Sequence, residues 1–205
     1  HNFYLGSGFN NDEIKLAFSD KNLSPTYSDN IFEEASKMLS KGKIVGWFQG
    51  RAEFGPRALG NRSILTRPYP AEMKDYINER VKFREGFRPF APAILKEQCS
   101  EYFDIKQESP HMLIACQAKE KNKEKIAATV HSDNSCRVQT VGPENNKEFY
   151  ALLTAFNELT DCPVLLNTSF NVKGQPIVNT PSQAINCYLS TNIDFLCIGN
   201  YFVEK

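Results

Sequence analysis

The sequence predicts an α/β fold, with α+β as the alternative, built on a twisted mixed sheet with flanking helices. Three observations predict it. Short apolar runs alternate along the chain with segments whose apolar residues recur at helical spacing. Helix-end signals (Gly42, Pro70 and the capping pattern Thr180-Pro181-Ser182-Gln183) fall where the spacing changes. A length of 205 residues, 41 % of them hydrophobic and 23 % charged, suits one globular domain with an attached segment.

Residues 1–28 are polar and turn-rich, with Gly6, Gly8 and Pro25, and read as a lead-in rather than a core element; the domain proper is expected over 29–205. Ile31, Phe32, Ala35, Met38 and Leu39 mark a first helix that stops at Gly42. Lys43–Phe48 is a short apolar strand. A loop with three glycines and a proline follows over 49–62, then a strand over Ser63–Thr66. A second helix starts at Pro70 and is expected to bury Met73, Tyr76, Ile77 and Val81. Residues 84–92 must be irregular, because Gly86, Pro89 and Pro92 crowd together.

Ala93–Leu95, Met112–Cys116 and Cys136–Val141 read as strands, and Lys119–Lys125 as a solvated lysine-rich stretch. A third helix carries Phe149, Leu152, Leu153, Phe156 and Leu159. Pro163–Leu166 is a fully apolar strand that ends in the polar group Asn167-Thr168-Ser169. The helix after Thr180 is expected to bury Ala184, Ile185, Tyr188 and Leu189, and Phe195–Ile198 and Tyr201–Val203 close the chain as strands around Gly199-Asn200.

Composition excludes several function classes. Lys and Arg number 24 and Asp and Glu 24, so the net charge of zero disfavours a general nucleic-acid or polyanion binder. No apolar run approaches the roughly 18 residues of a membrane span, and the first residues form neither a basic nor an apolar leader. The six cysteines stand apart without a C-x-x-C pair, and His1, His111 and His131 are scattered, so no metal cluster is expected. Buried, reduced thiols and a cytoplasmic location are the expectation.

Arginine is the informative residue. Seven of the eight arginines lie between Arg51 and Arg88; Arg137 is the eighth. The planar guanidinium matches carboxylate and phosphate oxygens two at a time, so the cluster points to an oxyanion site. Three constellations could build it. The glycine-rich loop could bring backbone N–H groups to an anion with Arg51, Arg57 and Arg62 around it, although it is neither a Walker loop nor G-x-G-x-x-G. Lys82-Phe83-Arg84-Glu85-Gly86-Phe87-Arg88-Pro89-Phe90 sets cations among aromatics. Asn167-Thr168-Ser169 stands at a strand end where α/β sheets place ligands. Ser169 has no nearby histidine and no nucleophile elbow, so hydrogen bonding rather than covalent catalysis is expected of it. His131 and Asp133, close to Arg137, offer a further anion or ribose contact or a structural pair.

The residues also carry a resemblance. Gly50-Arg51-Ala52-Glu53-Phe54-Gly55-Pro56-Arg57-Ala58-Leu59-Gly60-Asn61-Arg62 resembles the signature of the C-terminal, YrdC-like domain of NodU-like O-carbamoyltransferases. Val81-Lys82-Phe83-Arg84-Glu85 with Phe87-Arg88-Pro89-Phe90, Arg137-Val138-Gln139-Thr140-Val141, and Leu165-Leu166-Asn167-Thr168-Ser169-Phe170-Asn171 extend it in order. Small departures fall at Asn134, where that family usually has glycine, at Cys136 and at Gln175. The resemblance implies a domain that makes carbamoyl adenylate and pyrophosphate from carbamoyl phosphate and ATP, with Mg²⁺ assisting. It also implies that residues 1–28 are the tail of a preceding domain related to actin-like ATPases, which holds iron and transfers the carbamoyl group to an acceptor hydroxyl. Carried over by position, Lys82 and Arg88 are the catalytic candidates. Arg57, Arg137, Asn167 and Ser169 join them in the nucleotide and carbamoyl pocket, with Arg51, Arg62 and His131 as further candidates and no metal ligand. The expected partners are these small molecules and the preceding domain. The alternative is a non-catalytic nucleotide-binding or positioning module.

Overall fold

A computed structural model describes residues 3–86 and 88–205; His1 and Phe87, both named above, lie outside them. In chain order the elements are α1 (Asn11–Ser19), β1 (Thr26–Tyr27), α2 (Ile31–Ser40), β2 (Val45–Phe48), β3 (Arg62–Thr66), α3 (Met73–Ile77), β4 (Ala91–Leu95), α4 (Cys99–Tyr102), β5 (Phe103–Asp104), β6 (Ile114–Ala118), β7 (Ser135–Val141), α5 (Lys147–Thr160), β8 (Val164–Ser169), α6 (Pro181–Leu189), β9 (Phe195–Ile198) and β10 (Tyr201–Glu204). The ten strands form one sheet in the order β1-β10-β9-β2-β3-β8-β4-β7-β6-β5. Only β2·β9 and β4·β7 are parallel among its pairs, so the sheet is mixed as the sequence predicts.

Both faces of the central strands are covered, which is why these strands read as continuous apolar runs. Along β3, Ile64 points to one core and Leu65 to the other; along β8, Leu165 and Leu166 divide the same way, and so do Cys197 and Ile198 of β9. One core lies under α2 and α5, where Ala35, Leu39, Phe149, Leu152 and Phe156 meet Trp47 and Leu95. The other lies under α1, α3 and α6, where Ile14, Phe18, Ile77 and Ile185 meet Phe48 and Phe170. Helix α2 starts on the Asn30 side chain and stops before Gly42 at φ 78°. Helix α6 carries the expected capping box, with Thr180 and Gln183 each bonded to the other's backbone N–H.

Several sequence expectations are corrected. Residues 1–28 do contain a core element: α1 is set by a capping box between Asn10 and Glu13 and buries Ile14, Ala17 and Phe18. Its three apolar anchors are too few to dominate a polar stretch by eye. Ala91 and Pro92 belong to β4 rather than to an irregular segment. The missing proline N–H is tolerated because β7 pairs with β4 only from Ala93 onward. Strand β8 runs three residues past the expected apolar run, so Asn167, Thr168 and Ser169 form its carboxyl end, as expected. Met112 sits in a left-handed turn (φ 56°), so β6 begins at Ile114. Leu159 and Leu189 end their helices exposed to solvent. Asn134, the departure from glycine noted above, has φ 67°, a conformation that asparagine tolerates better than most side chains.

All six cysteines are buried and unpaired. Burial pushes their thiols up, to about 12 at Cys99 and Cys136 and about 11 at Cys116, Cys162 and Cys187, so none is poised for thiolate chemistry. Among the described residues no helix is long and apolar enough to cross a membrane.

Candidate functional site

The loop between β2 and β3 is organised around its own carboxylate. Glu53 Oε1 accepts from the backbone N–H groups of Leu59 (2.6 Å), Asn61 (3.1 Å) and Arg62 (3.1 Å). The N–H cradle expected to meet an external anion is therefore filled from within, which corrects that reading of the glycines. Gly60, at φ 105°, lets the backbone pass against Phe149 of α5; a Cβ there would lie 2.2 Å from the Phe149 ring.

Arg62 is structural. Its guanidinium is stacked on Phe48 (3.5 Å to the ring centroid) and donates to the carbonyls of Gln49 (2.7 Å), Asn61, Gly50 and Ser7. Burial, only partly offset by Glu53, brings it down to about 10. Arg51 donates to the carbonyls of Leu5 (2.6 Å) and Gly6 (2.9 Å), tying residues 5–6 to the loop. Arg57, at the loop's far turn, differs from both: among the described residues its side chain has no hydrogen-bond or ion-pair partner, and it lines a cavity shared with Arg84 and Arg137.

The second wall comes from the end of α3. The helix widens into one π-helical turn, Asn78–Lys82, and stops at Phe83 in the left-handed region (φ 49°). With Val81 fixed in the core, Lys82 is turned inward, 3 % exposed, with no carboxylate within reach. Its Nζ donates to the carbonyls of Ser169 (2.8 Å) and Asn171 (2.9 Å) and to Asn171 Oδ1 (2.6 Å). Burial, with Arg84 adding to it, brings the amine down to about 7. Arg84 lines the cavity, lies over the Phe90 ring (4.8 Å), and donates through Nε to Asn78 Oδ1 (2.7 Å). Burial and the nearby Arg88 also hold its guanidinium below the ordinary arginine range. Asn78, fully buried, ties down the rest of the segment by donating to the carbonyls of Gly86 and Arg88.

The third wall is the sheet itself. Arg137 of β7 is half-buried; its Nε–H has no partner, and burial followed by the nearby Arg57 lowers its pKa. Asn167 pairs in register with Ala91 of β4 and Leu65 of β3, and Ser169 with Ser63. Asn167 donates both amide hydrogens, to Ala58 O (3.1 Å) and Gln139 Oε1 (2.9 Å), and its Oδ1 is buried without a partner. Ser169 Oγ donates to Asn171 Oδ1 (2.7 Å), linking it to the acceptors around Lys82.

Of the residues expected from the sequence, the structure brings Arg57, Arg137, Asn167 and Ser169 to one cavity, with Lys82 held against Ser169 beside it. Arg88 does not line this cavity. Its side chain is 52 % exposed and pairs with Glu85 at 3.4 Å, while its carbonyl accepts from the buried Asn78 side chain. Arg84 occupies the wall expected of it. Arg51 and Arg62 are consumed by backbone carbonyls, and His131 meets Ser135 Oγ (3.1 Å), which itself donates to Asp133, in the turn between β6 and β7. Sequence reasoning missed Arg84, Asn78, Gln139 and Glu53 as site-forming residues. Gln139 carried a readable signal, since it lies two residues from Arg137 on the same strand face.

Among the described residues the cavity is lined by three guanidinium groups and no carboxylate. Among the described residues no group of three or more His, Cys, Asp or Glu side chains could hold a metal ion. These residues therefore do not form a magnesium cage; any Mg²⁺ would arrive with nucleotide phosphates. The arrangement suits an anion that also carries an N–H donor.

Comparison with known proteins agrees with the fold. Full-length HypF, solved in a phosphate- and nucleotide-bound form, superimposes with a TM-score of 0.56 at 17 % identity, over 83 % of this chain and 22 % of that one. The mixed sheet with flanking helices is thus the YrdC-like fold expected. Nodulation protein NolO of Bradyrhizobium diazoefficiens is 41 % identical over 98 % of this chain and 38 % of its own length. The 3'-hydroxymethylcephem-O-carbamoyltransferase of Amycolatopsis lactamdurans is 37 % identical over 84 % of this chain and 33 % of its own. The chain spans about a third of the length of these curated relatives. The family described as Carbamoyltransferase C-terminus matches residues 36–205, from α2 to the last strand and through every wall of the cavity, so the chain belongs to that family.

Proposed function

We propose that this cavity forms carbamoyl adenylate from carbamoyl phosphate and ATP. The observation that carries the reading is the lining itself: among the described residues, Arg57, Arg84 and Arg137 without a carboxylate, beside a buried acceptor, Asn167 Oδ1, that no protein group satisfies. Water first cleaves carbamoyl phosphate to carbamate and phosphate. A carbamate oxygen then attacks the α-phosphorus of ATP, the bond from that phosphorus to the bridging oxygen breaks, and pyrophosphate leaves. One turnover consumes one water, in the first step only, and releases one phosphate and one pyrophosphate.

Both events bring anions together, so neutralising charge and holding the attacking and leaving oxygens in line is the main catalytic task. Arg57, Arg84 and Arg137 take phosphate oxygens, and Lys82 holds the strand end that carries Ser169. Mg²⁺, if carried in with ATP, would supply further charge neutralisation at the phosphates, and none of the cavity's side chains would hold it. Transfer to an acceptor hydroxyl belongs, in this reading, to a further domain of the longer polypeptide. The relatives' greater length supports this, as does a relative named for O-carbamoylation of a hydroxymethyl group. Buried, unpaired thiols support a reducing, cytoplasmic setting.

The stoichiometry is testable in the full-length native polypeptide. With ATP, Mg²⁺ and carbamoyl phosphate, rapid-quench sampling of the first turnover is expected to yield one phosphate and one pyrophosphate per site. Phosphate without pyrophosphate would leave a mere phosphatase, and nucleotide binding with neither product would leave a positioning module.

A further inference from the structure

We propose that Gln139 is a positioning residue that makes the cavity select an acyl group bearing an N–H, acting through Asn167. The inference rests on the carbamoyl-adenylate reading above and names its selectivity. Gln139 is buried, and its Nε2 donates to the carbonyl of Leu59 at 2.9 Å. A carbonyl only accepts, so this contact fixes which end of the Gln139 amide is which. Its Oε1 must then face Asn167, from which it accepts at 2.9 Å. The other hydrogen of the same Asn167 amide goes to the carbonyl of Ala58 at 3.1 Å.

Two backbone carbonyls, one at each end of the chain of amides, therefore determine both orientations. Asn167, which lines the cavity, has no donor left to offer, and its one acceptor, Oδ1, is buried without a partner among the described residues. Such an acceptor disfavours any occupant that meets it with a methyl group and favours one that brings an N–H. On the strand that carries Gln139, Arg137 supplies the complementary feature, an Nε–H without an acceptor. A carbamoyl group offers both counterparts, an NH₂ and a carbonyl oxygen; an acetyl group offers only the oxygen.

Without the acceptor of Gln139 only the Ala58 carbonyl still sets the Asn167 amide, so its orientation is held less firmly and the selection weakens. Gln139→Met keeps the length and shape of the side chain but neither hydrogen bond. The same planar NH₂ chemistry also occurs on the adenine base, so the experiment has an arm for each source.

In the full-length polypeptide, kcat/KM for pyrophosphate release is measured with carbamoyl phosphate and with acetyl phosphate, and for each nucleotide with ATP and with ITP, which lacks the amino group. Wild type is expected to prefer carbamoyl over acetyl phosphate by on the order of 10²-fold. Gln139→Met is expected to reduce that preference about tenfold, with the ATP:ITP ratio unchanged within about twofold. A purely structural role would lower both donors together and leave the ratio as it was, which would overturn the proposal. A shift in the ATP:ITP ratio alone would overturn it in favour of the base. Equal use of the two donors by wild type would overturn it without any variant, while leaving the adenylate reading intact. Pyrophosphate from neither donor would overturn both.

Discussion

Arg137→Ala is expected to slow adenylate formation by about 10²–10³-fold, with the fold and the thermal transition nearly unchanged. The side chain makes no hydrogen bond within the protein among the described residues, so its removal leaves no structural partner stranded. What is lost is a preorganised donor, half-shielded from water and already placed where charge must be neutralised. Arg137→Lys restores charge but not the planar fork, and is expected to recover only part of the rate. Arg84→Ala should fall in the same range, since Arg84 lines the same cavity. Arg88→Ala is the control: half exposed and paired with Glu85, it should stay within about threefold of wild type. Steady-state pyrophosphate release at saturating ATP measures all four. A large loss at Arg88 with little at Arg84 would mean that the segment from 84 to 88 turns its other arginine inward when substrate binds.

The second large effect concerns Lys82. A buried ammonium without a carboxylate is disfavoured relative to water, and burial brings Lys82 down to about 7. Protonation therefore falls as pH rises through that value. If the charged form is the one that holds Ser169 and Asn171 and offsets substrate charge, kcat/KM should be highest on the acid side and decline above about pH 7. The profile of kcat should break at higher pH, because a bound polyanion favours the ammonium. Lys82→Met should abolish this limb and cut the rate by about 10²-fold or more. A profile that stays flat from pH 6 to 9 in wild type would show that Lys82 does not titrate in the working site.

Much of the fold was legible because the strands are covered on both faces and the helices carry clear ends. The apolar runs at 43–48, 163–166 and 195–198, the stop at Gly42 and the cap at Thr180 follow directly from local chemistry. Helix α1 was hidden because its capping box sits in an otherwise polar stretch. Pro92 misled because its crowding with Pro89 and Gly86 pointed to an irregular segment, whereas a strand paired on one side only at that residue accommodates it. Within the site, residue type located the arginines but could not orient them. Arg84 and Arg88 are four residues apart in one irregular segment, and a buried asparagine, Asn78, decides which of them faces the cavity. The role of Glu53 was equally invisible. A glycine-rich loop rich in N–H groups looks the same in sequence whether its anion comes from solvent or from six residues away.

The most direct measurement is isotope exchange between labelled pyrophosphate and ATP, catalysed by the full-length native polypeptide with Mg²⁺ and carbamoyl phosphate and with no acceptor alcohol present. Adenylate formation is reversible, so label is expected to enter ATP, to require carbamoyl phosphate, and to fall by about 10²–10³-fold in Arg137→Ala. Saturable binding of both ATP and carbamoyl phosphate with no label entering ATP would contradict adenylate chemistry at this cavity.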